Sequence, residues 1–114
     1  MTQAQTQGSH CLVFVALTGD RQIKAYSMDL DTGSLELRTT SDAHGDIGSL
    51  HLHRASGRMY GAHVGATQLS SYALDTDSGA LTHINTVDTG LETPALAITD
   101  EASRFLITSY YTGG

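Results

Sequence analysis

Several side chains of this 114-residue sequence could take part in acid–base chemistry, and His63 is the strongest candidate. An imidazole changes its charge near neutral pH, so a positioned histidine can take a proton from a nucleophile. His63 stands at the end of a predicted strand, where it is either a general base or a residue that only packs there. Four further residues in turns and connections are candidates for binding a substrate: Arg21, His44, Asp46 and Glu92.

A second group of histidines has a spacing typical of metal ligands. His51 and His53 alternate on one predicted strand and share a face, and with His63 they could offer three imidazoles to zinc. The residues 46 positions further along are Ala97 and Thr99, which are ordinary strand residues. Packing within a strand therefore explains the pattern better, and we predict no metal and no cofactor.

Aspartates recur beside glycines and could suggest calcium, but turn chemistry accounts for them. Asp31 and Asp77 each stand two residues before a glycine, where an aspartate caps a turn and the glycine takes a positive φ. Asp29 and Asp75 recur in the same way. Cys11 is the single cysteine, so no internal disulfide can form, and we interpret it as a small buried apolar residue.

These residues belong to a sequence that repeats itself. Residues 22–41 (QIKAYSMDLDTGSLELRTTS) are matched by residues 68–87 (QLSSYALDTDSGALTHINTV), an offset of 46 because 68 − 22 = 46. Each unit contains four apolar-rich runs of strand length, separated by Gly, Asp and Ser. Four strands in a unit of this size are typical of one β-propeller blade. The sequence therefore predicts an all-β propeller of four-stranded antiparallel blades.

The repeat also predicts how the chain is divided. The predicted parts are a disordered tail (1–10), an incomplete blade without its inner strand (11–47), a complete blade (48–93) and the first half of another (94–114). The strands of the complete blade are predicted at 48–53, 58–64, 68–75 and 80–88. Because a propeller closes with at least about four blades, we expect this segment to need the remaining blades, or further copies of itself, as partners.

Charge and composition exclude other classes of protein. The net charge is −6, from twelve acidic and six basic residues, and it is spread over the turns. This balance argues against nucleic acid or an anionic membrane as the partner. The polar N-terminal segment is unlike a secretory signal, and no apolar run approaches the roughly 18 residues of a membrane helix. We therefore predict a cytoplasmic protein.

The propeller interpretation places the candidate residues together. In a propeller, the crossings between blades and the loops after each second strand meet on one face, near the central channel. We expect five residues there: Arg21, His44, Asp46, His63 and Glu92. A small molecule bound at this face would meet both charges and imidazoles.

The sequence resembles the seven-bladed propeller lactonases, which include bacterial 6-phosphogluconolactonases and fungal 3-carboxymuconate-cyclising enzymes. The motifs that carry the resemblance are ASGRMY (55–60), YALD (72–75), SGAL (78–81), SRFL (103–106) and SYYTGG (109–114). The resemblance implies that the complete ring hydrolyses a sugar-type lactone such as 6-phosphogluconolactone. The required steps are activation of water by a base and stabilisation of the oxyanion at the lactone carbonyl.

Two departures from the family pattern keep alternatives open. Members often carry a histidine early in the third inner strand and Asn-Glu at the end of a second strand, whereas this chain has Leu96 and the pair His63-Val64. A propeller that serves as a non-catalytic binding scaffold is one alternative, and a carboxymuconate-cyclase-like isomerase is the other. We predict that replacing His63 by alanine lowers activity with little loss of stability, and that replacing His51 leaves activity unchanged.

Overall fold

The fold is seen in a computed structural model that describes residues 2–7, 9–91, 94–99, 101–102 and 104–110, with the backbone alone for 2–7, 94–99 and 108–110. Ten strands follow one another in the chain: β1 (Thr2–Gln7), β2 (His10–Leu17), β3 (Gln22–Asp29), β4 (Leu35–Asp42), β5 (Ile47–His53), β6 (Arg58–His63), β7 (Gln68–Leu74), β8 (Leu81–Asp88), β9 (Pro94–Thr99) and β10 (Leu106–Tyr110).

The strands form successive antiparallel sheets in chain order. The first blade is β1-β2-β3-β4, the second blade is β5-β6-β7-β8, and β9 pairs with β10. This arrangement confirms the predicted all-β class of antiparallel blades. In the described part of the chain, no helix has the length and apolar character that crossing a membrane requires.

The N-terminal segment corrects one prediction. We expected residues 1–10 to be a disordered tail and the first blade to lack its inner strand, but β1 pairs with β2 from Thr2↔Val15 to Gln7↔His10. An added edge strand is held by backbone hydrogen bonds, which do not require apolar side chains. The alternation of glutamine with Thr2, Ala4 and Thr6 is the sequence signal that marks it.

The core lies between the first two blades. Leu12, Phe14 and Ile23 of the first blade pack in one cluster with apolar residues of the second, and all three are buried. Their partners across the interface are Ile47, Leu50, Leu52, Met59, Tyr72 and Leu81. On the other face of β2, Val13 and Val15 are half-buried, whereas Cys11 is buried, as predicted.

The outer strands share a bulge that decides which side chains face the core. Ala25 pairs with Thr39 but Tyr26 pairs with Leu37, so Arg38 is an extra residue in β4. One period later the extra residue is Ile84 in β8, since Ser71 pairs with Asn85 but Tyr72 with His83. After a bulge the alternation of side chains changes phase, so residues three apart can share a face.

The aspartate turns are closed by hydrogen bonds, with one correction. The carboxylate oxygen Oδ1 of Asp29 accepts from the backbone N–H groups of Asp31 and Thr32, at 2.8 and 3.1 Å. Asp75 does the same in the second blade. Asp29 and Asp75, and not Asp31 and Asp77, cap these turns, because the carboxylate must precede the amides that it accepts from.

Candidate functional site

The predicted site residues meet where the chain crosses from the first blade to the second. The crossing loop, residues 43–46, is held by backbone hydrogen bonds on both sides. Ala43 N–H donates to the carbonyl of Arg21 at 3.0 Å, and Val64 N–H donates to the carbonyl of Asp46 at 2.7 Å. The predicted residues that lie together on this crossing face are Arg21, His44, Asp46 and His63. Glu92 lies outside the described residues.

Arg21 and Asp46 form the charged rim of the crossing face. The Arg21 Nε–H donates to Asp46 Oδ1 at 3.2 Å, while the two side chains remain 67 % and 39 % exposed. An ion pair this exposed contributes about 0–1 kcal/mol to stability. The pair can therefore exchange for a ligand at little cost, and a guanidinium fits a carboxylate or phosphate well.

His44 stands at the top of the crossing loop in a turn that orients its ring. Its backbone has φ 56°, and its N–H donates to Asp42 Oδ1 at 2.8 Å. Its ring Nδ1 lies 3.3 Å from the Asp42 carbonyl oxygen, which can only accept, so Nδ1 carries the proton and Nε2 holds a lone pair in the neutral ring. The side chain is 43 % exposed. His44 is thus an oriented imidazole that solvent reaches.

The turn itself does not need an imidazole. The equivalent residue in the next crossing is Gly90, with φ 77° and the same hydrogen bond from its N–H to Asp88 at 2.7 Å. A residue other than glycine in this left-handed region is uncommon, although histidine tolerates it better than most. The fold is satisfied by glycine at this position, so the turn alone does not require the His44 side chain.

His63 differs from its prediction in exposure. The strand end was expected to open toward the channel, but His63 is 2 % exposed and its Nε2 lies 2.6 Å from Ser70 Oγ. Gly45 of the crossing loop covers the ring edge, where an added Cβ would come within 2.4 Å of Nδ1 and Cε1. Removing the ring would leave a cavity and a weakened hydroxyl network. His63→Ala should therefore cost stability, contrary to the sequence-based expectation.

Three residues that the sequence analysis did not select connect His63 to His44. Ser70 Oγ lies 2.7 Å from Thr86 Oγ1, and Thr86 Oγ1 lies 2.8 Å from His83 Nε2. The His83 ring stacks on His44, with 4.2 Å between centroids and 17° between planes. The bulge at Ile84 puts His83 and Thr86 on one face. The signal that could have found them is departure from the repeat, since Lys24 and Leu37 stand at the positions of Ser70 and His83.

Tyr72 holds the crossing loop through a buried hydrogen bond. It is fully buried, its hydroxyl donates to the Ala43 carbonyl, and its ring meets His83 edge-on at 5.7 Å. Burial raises the pKa of Tyr72 to about 12, so the hydroxyl keeps its proton at neutral pH. The loop that carries His44 is therefore tied to the core by a neutral donor.

His51 and His53 take no part in the crossing face. His63 pairs with Ile47 at one end of β5, whereas His53 pairs with Arg58 at the other end. The His53 ring is used locally, with Nδ1 2.7 Å from Ser56 Oγ and Nε2 donating to the Glu101 carbonyl at 2.9 Å. The described residues contain no group of three or more His, Cys, Asp or Glu that could hold a metal ion.

Comparison with known proteins identifies the family. The model of a family described as lactonase, seven-bladed β-propeller, matches residues 12–114. The chain belongs to this lactonase family. A search among curated proteins found no match.

Several solved structures share the fold of this chain. A candidate 6-phosphogluconolactonase from Bacteroides uniformis matches with a TM-score of 0.83 and 20 % identity, over 93 % of this chain and 32 % of that protein. A second one, from Bacteroides fragilis, matches with a TM-score of 0.80 and 20 % identity, over 95 % of this chain and 31 % of that protein. A chain of a mitotic checkpoint complex matches with a TM-score of 0.64 and 21 % identity, over 91 % of this chain and 31 % of that one. The chain thus spans about a third of the length of these proteins.

Replacing Tyr72 by phenylalanine tests how the crossing loop is held in this lactonase-family chain. The variant leaves the Ala43 carbonyl without its buried donor, which should lower the free energy of unfolding by about 1–3 kcal/mol. Denaturant unfolding measures the change. Tyr26→Phe, at the half-buried equivalent position of the first blade, is the matched control and should lose less. Equal losses in both variants would show that the bond to Ala43 contributes nothing of its own.

The stability of the chain should fall as the pH drops below about 6.5, the ordinary histidine pKa. Burial is the main cause that lowers the pKa of His63; the charge of His83 adds to it and that of Asp46 opposes it. Burial, then the charge of His53, lowers the pKa of His51. The unfolded chain therefore binds protons at a higher pH than the folded chain, so stability is complete above pH 6.5 and is lost toward the folded pKa values. Thermal unfolding at a series of pH values measures this, and an unchanged pH dependence in His63→Gln would contradict it.

Proposed function

We propose that this chain supplies part of the substrate site of a propeller lactonase that hydrolyses a sugar-type lactone. The observation that carries the proposal is the crossing face of a lactonase-family chain. There the crossing loop carries an oriented, solvent-accessible imidazole, His44, and the neighbouring turn carries an exposed guanidinium, Arg21, which pairs with Asp46 of the same crossing loop. A base and an oxyanion-stabilising cation are what lactone hydrolysis requires.

The geometry suits His44 better than His63 for the base. His63 is buried and its Nε2 contacts Ser70, whereas His44 is 43 % exposed and its Nε2 holds a lone pair. In the proposed reaction, Nε2 of His44 takes a proton from water while the water oxygen bonds to the lactone carbonyl carbon. The ring C–O bond then breaks, and the proton passes to the departing alkoxide, which gives the hydroxy acid. His63 supports the crossing loop by packing against Gly45.

Arg21 is proposed to bind the anionic part of the substrate or the developing oxyanion. Its bond to Asp46 uses Nε, and a guanidinium has two further nitrogens that donate to oxygen. A phosphorylated lactone such as 6-phosphogluconolactone would gain from this cation on a chain that is otherwise acidic. This supports a phosphorylated substrate over a neutral one.

The test is hydrolysis by the full-length protein of 6-phosphogluconolactone and of unphosphorylated gluconolactone. Acid release at constant pH is recorded and the spontaneous rate is subtracted. Arg21→Gln should raise KM for the phosphorylated lactone more than for the unphosphorylated one. Arg38→Gln is the control, since Arg38 lies on the exposed outer strand and donates to the Asp77 carbonyl. A folded protein that hydrolyses neither lactone above the spontaneous rate would overturn the proposal.

A binding scaffold is the second candidate, favoured by the burial of His63 and by the exposed Val64 where family members often carry a glutamate. Such a protein would bind a sugar lactone or sugar acid without converting it. Calorimetric binding of gluconate by a protein that shows no turnover would favour the scaffold.

A further inference from the structure

A continuous chain of contacts links the buried imidazole of His63 to the half-buried imidazole of His83 in the second blade. It runs from His63 Nε2 to Ser70 Oγ (2.6 Å), to Thr86 Oγ1 (2.7 Å) and to His83 Nε2 (2.8 Å). These three hydrogen bonds need three protons, and the two hydroxyls supply one each. In a one-directional chain, where both hydroxyls donate along it, the third comes from Nε2–H of one histidine. The other histidine accepts at Nε2, so the two neutral rings hold opposite tautomers.

The repeat shows that this chain of groups is not part of the propeller scaffold. Leu17, Lys24 and Leu37 occupy the positions of His63, Ser70 and His83 in the first blade, and its strands still pair in the same register. Thr40 alone matches its counterpart, Thr86. These polar groups, most of which the first blade lacks, end at the crossing loop, where His83 stacks on His44.

We infer that His83 is a positioning residue of the crossing face, which holds the His44 ring by stacking and fixes the tautomer of His63 through Thr86 and Ser70. The catalytic part of this inference rests on the proposed lactonase function. A neutral His83 ring stacked on His44 favours the imidazolium that forms when His44 takes a proton, because a cation is attracted by an aromatic face. A protonated His83 would repel it.

Charged and titratable groups from several elements lie around His83 or along its network. His44 stacks on it from the crossing loop, Tyr72 meets its edge from β7, and His63 and Asp46 act on the far end of the network. Asp42 holds His44 from the end of β4. Protonation of the histidine that accepts at Nε2 would make both Nε2 atoms donors, and the one-directional chain would be broken.

The first test uses nuclear magnetic resonance of the full-length protein labelled with ¹⁵N at histidine. We expect opposite tautomers for His63 and His83 in the wild type. Thr86→Val removes one hydroxyl and nearly keeps the shape of the side chain. The His63 ring nitrogen signals should therefore shift or report a mixture of tautomers, although His63 is two hydrogen bonds away from Thr86. Thr40→Val, the same change at the equivalent site of the first blade, should leave His63 unchanged, and Thr86→Ser should restore the wild-type spectrum.

Several results would overturn the inference. The same tautomer on His63 and His83 in the wild type would contradict a one-directional chain, and this result does not depend on whether Thr86→Val folds. If Thr86→Val folds and its His63 signals match those of the wild type, the inference is also overturned. These spectra are recorded without substrate, so they stand whether or not the protein hydrolyses a lactone.

The second test asks whether His83 acts on the reaction. In His83→Leu, which copies the first blade, the His44 ring signals should move downfield as the stacked ring is lost. The kcat for lactone hydrolysis should fall on the order of tenfold to a hundredfold, as expected for a misplaced base. KM should change little, and the acidic limb of the pH profile should shift. Unchanged His44 signals and an unchanged pH profile would overturn the positioning role.

Discussion

The lactone hydrolysis proposed for the full-length protein should fall about 10²- to 10⁴-fold in kcat when His44 is replaced by glutamine, the range that a positioned general base contributes. Glutamine keeps a polar side chain at the crossing loop but has no nitrogen that takes up a proton near neutral pH. The Asp42 carboxylate still receives the backbone N–H of residue 44, so the turn should survive. Initial rates with the wild type and the variant, at matched circular dichroism, measure the effect.

The matched control is His10→Gln. His10 is exposed at the start of β2 and contacts Ser9, on the first blade and away from the crossing loop. Its loss should leave kcat unchanged. A folded His44→Gln with wild-type turnover would remove His44 from the reaction.

Replacing Gly45 by alanine should be the most destabilising small substitution on the crossing face, at about 2–4 kcal/mol of unfolding free energy. The new Cβ would lie 2.4 Å from Nδ1 and Cε1 of His63, and the backbone has φ 153°, which L residues rarely adopt. The ring cannot easily yield, because it is buried and its Nε2 contacts Ser70. Either the loop or the imidazole must move, so hydrolysis should fall as well.

Denaturant midpoints at constant slope measure this loss. Gly19→Ala is the control, because an added Cβ at Gly19 meets nothing within 4 Å, and its cost should stay within about 0.5 kcal/mol. The double variant Gly45→Ala with His63→Ala should cost less than the sum of the single changes, since the clashing ring is gone. Strict additivity would show that the clash with His63 is not the cause.

The repeat predicted most of the fold because strand alternation and turn residues are local signals. The observed strands of the second blade differ from the predicted ones by a single residue at several ends, such as β6, which ends at His63 and not at Val64. β1 was missed because a polar edge strand is held by its backbone and lacks an apolar pattern. Local sequence therefore predicts paired strands best where side chains drive the packing.

The site was predicted in part for a similar reason. Topology alone brings Arg21, His44, Asp46 and His63 to one face, since crossings and second-strand loops must meet there. It does not reveal that Gly45 covers His63, because that contact depends on the path of the crossing loop. Topology also does not reveal that His83 and Thr86 share a face. Regular alternation would put them on opposite faces, and the bulge at Ile84, which changes this, has no sequence marker.

Because the outer strands of both blades share the bulge, the polar network of the second blade could also be built in the first blade. The first blade already carries the extra residue Arg38 at the position of Ile84, and Thr40 at the position of Thr86. Three substitutions would place the same side chains on an equivalent backbone: Leu17→His, Lys24→Ser and Leu37→His. An ancestor built from identical blades could thus acquire or lose this chemistry one blade at a time, by point substitution and without insertion or deletion. Catalytic novelty in such a ring is separable from its architecture.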